Sequence, residues 1–129
     1  MVLSTMPNLR QILGQKGEAQ AARYLKQKGY KIIKKNYKCK YGEIDLIARD
    51  ADVLIFIEVK TRTSIEFGSP AAAVDYRKQK QISKVAYHYL VTHHNEDIDA
   101  RFDVVSVLSQ KNKETTIEHI IDAFNFCTT

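Results

Sequence analysis

Two apolar segments, 43–49 and 53–61, stand only Asp50-Ala51-Asp52 apart, and they constrain the chain more than any other feature. Both are rich in Ile, Val and Phe and have the length of strands, and the polar spacer between them suits a hairpin turn. If Arg49 pairs with Leu54, Asp45 falls opposite Glu58 and Glu43 opposite Lys60. Directly opposed residues share a face, with Cβ atoms about 5 Å apart. That face carries Glu43, Asp45, Glu58 and Lys60 at one end and Ile47 and Phe56 at the turn end. The other face holds Ile44, Leu46, Ala48, Ile55, Ile57 and Val59 and is wholly apolar. Such strands belong at the centre of a sheet covered on both sides. A slip of one residue would exchange the two faces, so the alignment depends on the turn length.

Two carboxylates about 5 Å apart repel by roughly 3 kcal/mol at an effective dielectric near 20. Two arrangements relieve this. One is a divalent cation: Mg²⁺ is typically held by one or two carboxylates together with waters and phosphate oxygens, which Asp45 and Glu58 could supply. Lys60 would then orient an attacking water or stabilise charge developing on phosphate. The other is a cross-strand ion-pair ladder in which Lys60 partners Glu43. Spacing alone leaves both open.

Around the hairpin the chain reads as one α/β domain over residues 1–129, with no Pro/Gly/Ser-rich linker and no internal repeat. A helix is expected from about Pro7 to Lys28, with Pro7 in its first turn and Gly29 at the position that ends it. A basic strand follows from Tyr30 to Tyr37. A second helix is expected from Pro70 to Thr92, and further strands over Arg101 to Leu108 and Thr115 to Ile121. The order α-β-β-β-α-β-β implies a mixed central sheet flanked by helices. No apolar run approaches the roughly 18 residues of a membrane span. The N-terminus has no basic start followed by an apolar stretch, as a secretory signal would. Two cysteines, Cys39 and Cys127, are too few for a disulfide scaffold. These features fit a cytoplasmic protein.

The net charge of +5 is unevenly spread. From Ala19 to Gly42 there is no acid and a local charge of +8, leaving the rest of the chain at −3. Tyr24, Tyr30, Tyr37 and Tyr41 interleave with these bases. A basic surface with aromatics points to a polyanion, most often nucleic acid; a solvated lysine-rich face fits equally well.

Asp45, twelve residues, then Glu58-Val59-Lys60 resembles the PD-(D/E)xK signature of restriction-endonuclease-like nucleases. More closely, Gly42-Glu43-Ile44-Asp45-Leu46-Ile47-Ala48 followed by Phe56-Ile57-Glu58-Val59-Lys60-Thr61-Arg62 resembles the uncharacterised YraN family. Gly14-Gln15-Lys16-Gly17-Glu18 with Ala21, Tyr24, Leu25, Gly29 and Tyr30 resembles that family's opening helix. Val74, Arg77-Lys78, Ala86 and Tyr89-Leu90 resemble its second helix, and Arg101-Phe102-Asp103-Val104-Val105 its late strand. The resemblance implies a restriction-endonuclease-like core related to archaeal Holliday-junction resolvases. It also implies a Mg²⁺-dependent phosphodiesterase, with Mn²⁺ able to substitute and no small-molecule cofactor. The resemblance leaves the substrate open: with the basic segment, one reading is an endonuclease on branched or otherwise structured DNA, cutting as a homodimer if assembly follows the resolvases, and the other is a nucleic-acid-binding module that keeps the fold without catalysis. Asp45, Glu58 and the Val59 carbonyl would hold the metal, with Lys60 orienting the attacking water or stabilising charge on the phosphate. The Gln-x-x-x-Tyr element of RecB-type exonucleases is absent after Lys60, since Gln79 is followed by Ser83 and Gln81 by Val85. An endonuclease is the better match.

Supporting positions follow. Glu18 lies on a helical stripe with Gly14, Gly17, Ala21, Ala22 and Leu25, so it faces a close packing partner and needs a polar one. Either it faces Asp45 as an outer metal ligand or water holder, the catalytic role that the family resemblance favours, or it pairs with a lysine or a backbone group in the core. Lys78 and Gln81 share a stripe with Val74, Ile82 and Val85, within reach of a phosphate. Arg62, between Thr61 and Thr63, follows the second hairpin strand and could bind the nucleic-acid backbone. Lys34, Lys35, Lys38 and Lys40 would guide it by phosphate contact. Asp103 and Arg101 face the same side of a strand and are expected to pair with each other. His88, His93, His94 and His119 show no ligand spacing with acids or cysteines.

Overall fold

A computed structural model describes residues 8–64 and 74–127. Helix α1 spans Leu9–Gln27, followed by strands β1 (Lys31–Cys39), β2 (Gly42–Asp50) and β3 (Val53–Arg62). Helix α2 (Tyr76–Thr92) then leads to β4 (Asp99–Leu108) and β5 (Thr116–Phe124). The five strands form one sheet in sequential order. All neighbours are antiparallel except β3 and β4, which run parallel and are joined through α2. Order and layering are those of a restriction-endonuclease-like core.

Each helix starts and stops for a local reason. Asn8 caps α1: its side chain accepts from the Gln11 amide at 2.8 Å, and Gln11 returns the bond to the Asn8 amide at 2.9 Å. At the other end Gly29 sits at φ 94°, the left-handed position expected for it. The Tyr30 amide reaches back to the Leu25 carbonyl and the Gly29 amide to that of Lys26, which closes the last turn. The second helix begins later than the sequence suggested. Asp75 is its N-cap, accepting from the Lys78 amide at 2.9 Å, so the helix opens at Tyr76. Residues 70–73, where the earlier start was placed, lie outside the described residues.

The sheet is covered on both faces. On the α1 side, Ala21, Ala22 and Leu25 pack on Leu46, Ala48, Ile55, Ile57, Val105 and Val107. On the α2 side, Ile82, Val85, Ala86 and Tyr89 pack on Ile44, Ile47, Leu54, Phe56, Phe102 and Val104. Residues Leu54 to Ile57 alternate between these two cores, which is why β3 reads as unbroken apolar sequence. Gly17 lets α1 sit close to β3, for a Cβ there would overlap the Thr61 side chain.

The hairpin register is the expected one: Arg49 pairs with Leu54 and Asp50 with Val53 across the turn Ala51-Asp52. Two details differ. The β2–β3 ladder ends at Leu46/Ile57, so Asp45/Glu58 and Glu43/Lys60 are not ladder pairs. Ile44 packs with Ile47 and Phe56 on the α2 side, not with Leu46 and Ala48. The neighbouring strand is irregular at the same level. Asn36 is at φ 53°, and the Asn36/Asp45 pair drops out of the β1–β2 ladder between Lys35/Leu46 and Tyr37/Ile44. The simple alternation of β2 stops there.

Candidate functional site

Where β2 and β3 part company, a side chain fills the role of a strand. Asp45 Oδ2 accepts the Val59 amide at 2.8 Å, a bond that would otherwise go to a β2 carbonyl. This fixes Asp45 in the gap between the strands. Glu58 stands beside it on β3, close enough that the charge of Asp45 bears on its carboxyl. The adjacency expected from the register therefore holds, reached through the side chain of Asp45 and not through continued pairing.

Glu58 is the most confined acid of the group, with its side chain 8% exposed. Burial pushes its carboxyl up, and the charge of Asp45 pushes it further, to about 8. Two lysines oppose this from one side. Lys60 Nζ lies 3.8 Å from Glu58 Oε2, and Lys78 Nζ, from the first turn of α2, lies 3.6 Å from the same oxygen. Neither distance is that of a tight ion pair, and both lysines remain partly exposed. Lys60 thus partners Glu58, not Glu43 as the ladder arrangement required.

Glu18 comes to the cluster from α1, as expected. Its carboxyl is raised by burial first, and then by the charges of Asp45 and Glu43. The residue that organises this side is Asn36. Both groups next to its amide are acceptors, so the nitrogen faces them and donates to Glu18 Oε1 and Glu43 Oε1, each at 2.9 Å. One amide thereby joins an acid from α1 to an acid from β2. Asn36 has a left-handed backbone, a region asparagine tolerates better than most residues. Glu18, Val59, Thr61, Arg62 and Thr63 line a groove of about 740 Å³ between α1 and the end of β3.

The other expected positions divide into two groups. Lys78 reaches the cluster through Glu58. Gln81 does not; its Nε2 donates to the Tyr41 carbonyl at 3.3 Å and holds the β1–β2 turn against α2. Lys34, Lys35, Lys38 and Lys40 are exposed on or just after the edge strand β1. Three of the interleaved tyrosines are packing residues. Tyr24 and Tyr30 lie edge-on to His119, and Tyr37 packs edge-on to Tyr89. Only Tyr41 of the four is exposed, with Lys40 Nζ 5.2 Å from its ring centre.

A second polar centre was hidden from the sequence. Asp103 is fully buried and accepts from Arg101 Nε at 3.0 Å, His119 Nε2 at 2.7 Å and the Asp122 amide at 2.9 Å. The Arg101 pairing was expected; the His119 contact was not foreseen. Lys28 Nζ lies 2.9 Å from His119 Nδ1 and can only donate, so Nδ1 accepts and Nε2 carries the hydrogen given to Asp103. Arg101 also donates to the Tyr30 hydroxyl at 2.8 Å. Every partner is internal, which marks this centre as structural.

The sequence profile of the uncharacterised protein family UPF0102 matches residues 17–107, a span that includes all four acids of the cluster. The chain belongs to that family. It is the YraN family, and it lies within the restriction-endonuclease-like nuclease superfamily. A UPF0102 protein of Syntrophus aciditrophicus is 48% identical over 124 residues, covering 96% of this chain and 95% of its own. One from Chlorobium limicola is 50% identical over 117 residues, 87% of this chain and 91% of its own. Another, from Caldanaerobacter subterraneus subsp. tengcongensis, is 46% identical over 117 residues, 89% and 96% respectively. UPF0102 membership gives the lineage of the fold and leaves the reaction to be argued from the site. No helix among the described residues of this UPF0102 chain is long and apolar enough to cross a membrane.

Proposed function

We propose that this UPF0102 protein hydrolyses phosphodiester bonds in DNA, as an endonuclease dependent on Mg²⁺, with Mn²⁺ able to replace it. The observation that carries the reading is the pair Asp45 and Glu58, two adjacent carboxyls only partly offset by two lysines. Among the described residues no three His, Cys, Asp or Glu side chains are gathered as a ready ligand set. Mg²⁺ takes one or two carboxylates and fills its remaining positions with water and phosphate oxygens. Asp45 and Glu58, with the Val59 carbonyl, are the groups that would hold it. When bound, the cation would neutralise the two carboxylates and polarise an oxygen of the phosphate whose phosphorus is attacked.

The chain's own residues do the rest. The Val59 amide keeps Asp45 turned into the strand gap. Lys78 and Lys60 hold Glu58 Oε2 from the α2 side. Lys60 orients the water or stabilises charge on the phosphate. Glu18 and Glu43, tied by Asn36, position the α1 side of the site. Lys34, Lys35, Lys38 and Lys40 guide the DNA by its phosphates, and Arg62 holds backbone near the cut. Branched or otherwise structured DNA is the substrate class, and two copies of the chain would cut two strands of a junction.

Calcium offers a test without turnover. Clustered acids repel DNA until a cation neutralises them, so Ca²⁺ is expected to raise wild-type affinity for a four-way junction about tenfold, a little over 1 kcal/mol. Asp45→Ala is expected to bind without added Ca²⁺ at least as well as wild type and to gain nothing from it. Fluorescence anisotropy at constant ionic strength reads both. A wild type whose affinity only falls as Ca²⁺ is added would make this a nucleic-acid-binding module that has kept a nuclease fold.

A further inference from the structure

Helix α2 carries Arg77, Lys78, Lys80 and Lys84 and no acid from Tyr76 to Thr92. Its outer face meets the β1–β2 turn, where Lys40 and Tyr41 lie. Gly42 makes this approach close, for a Cβ there would press on the Gln81 side chain at 2.7 Å from Nε2. Between turn and helix runs a groove of about 540 Å³ lined by Lys40, Tyr41, Arg77, Lys80, Gln81 and Lys84. Four of the six are cations and none is acidic. Asp75 lies nearby, and its carboxylate is engaged as the cap of α2.

The groove is continuous in two directions. Towards the acidic site, Arg77 and Gln81 also line a smaller hollow with the capping Asp75 and with Lys78, whose Nζ is 3.6 Å from Glu58. Away from it, Tyr41, Lys80 and Lys84 continue into an apolar trough with Tyr87 and Phe126. Tyr87 is 63% exposed and Tyr41 42%. The trough is framed by the C-terminal segment, tied down where the Cys127 amide donates to Ser83 Oγ at 3.0 Å. Exposed rings spaced along a cationic groove suit a polynucleotide whose bases are free to stack, for every base has a π-face and a paired duplex hides it. A plain phosphate contact would need the lysines and not the rings.

We infer that the α2 face is a track for an unpaired nucleic-acid strand leading from the acidic site, with Lys40, Arg77, Lys80 and Lys84 on the phosphates and Tyr41 and Tyr87 stacking bases. This deepens the proposed function and rests on it in one respect: the strand is the one that enters the site containing Glu58. It sets the substrate class as DNA with a single-stranded arm, such as a flap or fork.

The test is binding in EDTA, so that cleavage plays no part. Labelled dT20, U20 and a blunt 20-base-pair duplex are titrated with wild type, Tyr87→Ala, Tyr87→Phe, Tyr41→Ala and Lys80→Ala/Lys84→Ala. Wild type is expected to prefer dT20 to the duplex. Each Tyr→Ala is expected to weaken dT20 binding about 5- to 100-fold while leaving its salt dependence in place. Tyr87→Phe keeps the ring and is expected to bind like wild type. The double lysine variant is expected to flatten the salt dependence by roughly 0.7 per lysine. U20 bound as well as dT20 would support the same stacking chemistry on either sugar. Tyr87 is exposed, so its loss should not unfold the protein, and far-ultraviolet circular dichroism checks this. Undiminished dT20 binding by both Tyr→Ala variants, or wild-type preference for the blunt duplex, overturns the inference. Wild type that binds dT20 through Tyr87 yet cuts no substrate with Mn²⁺ would overturn the nuclease reading and leave the track standing.

Discussion

At pH 8 and without divalent cation, Glu58→Gln is expected to melt above the wild type. The ordinary carboxyl value is 4.5, and the folded protein holds Glu58 at about 8. Below the lower value the group is neutral in both states and costs nothing. As pH rises through this window the unfolded chain loses its proton first, so ionisation favours unfolding. The cost is complete above about 8. Glutamine removes it, a gain on the order of a few kcal/mol, or roughly 5–15 °C in a chain of this size. At pH 4 the two proteins should melt together. Added Mn²⁺ at pH 8 should raise the wild type, because it replaces the missing neutralisation, and should leave Glu58→Gln nearly unmoved. Scanning calorimetry at the two pH values, with and without Mn²⁺, reads all of this. A variant that melts below wild type at pH 8 would show that Glu58 is already satisfied by Lys60 and Lys78.

The opposite sign is expected at the second buried acid. Burial alone would raise the Asp103 carboxyl, but hydrogen bonds from His119, Arg101 and the Asp122 amide outweigh it and hold the group below the usual range. Its stabilising effect is therefore present above that range and lost as pH falls through it. Asp103→Ala leaves the Arg101 guanidinium, the His119 Nε2 hydrogen and the Asp122 amide without their acceptor. Removing one partner from a buried charged network costs about 3–5 kcal/mol. Urea unfolding at pH 7 is expected to show a loss of that size, with Asp103→Asn less damaging because it keeps one acceptor oxygen. The gap should narrow as pH falls below about 4, where the unfolded chain takes up its proton first and the folded carboxylate only at lower pH. A loss under about 1 kcal/mol at pH 7 would mean that β4 and β5 do not depend on this centre.

These two acids show what the sequence made legible and what it did not. The site was readable because its members sit on one hairpin and one helix stripe, where local period and a short turn determine neighbours. Asp45, Glu58 and Lys60 follow from such short-range rules, whereas the stripe gave Glu18 a packed face and the family resemblance gave it the site. Lys78 was reachable from the α2 stripe once the helix was placed. What escaped depended on departures from period. The left-handed turn at Asn36 lies level with the changed face of Ile44, and Asn36 is itself a site residue. The contact of His119 with Asp103 needs a β4–β5 register shift between Phe102 and Val104, with Asp122 at φ 55° in the bulge. Neither irregularity leaves a pattern that composition or spacing can show. The same is true of the tyrosines in the basic segment: their spacing suggested one aromatic surface, and packing divided them between two cores and the outside.

Cleavage is the most direct measure of the central claim. Labelled duplex, single strand, flap, fork and four-way junction would be incubated with the purified protein in Mg²⁺ or Mn²⁺, beside Asp45→Ala and Lys60→Ala. The wild type is expected to cut at least one branched substrate internally. Both variants, folded by circular dichroism, are expected to lose that activity by about a thousandfold or more. Wild type that binds these DNAs in Mn²⁺ and leaves every one intact, or variants that cut as well as it does, would contradict the account.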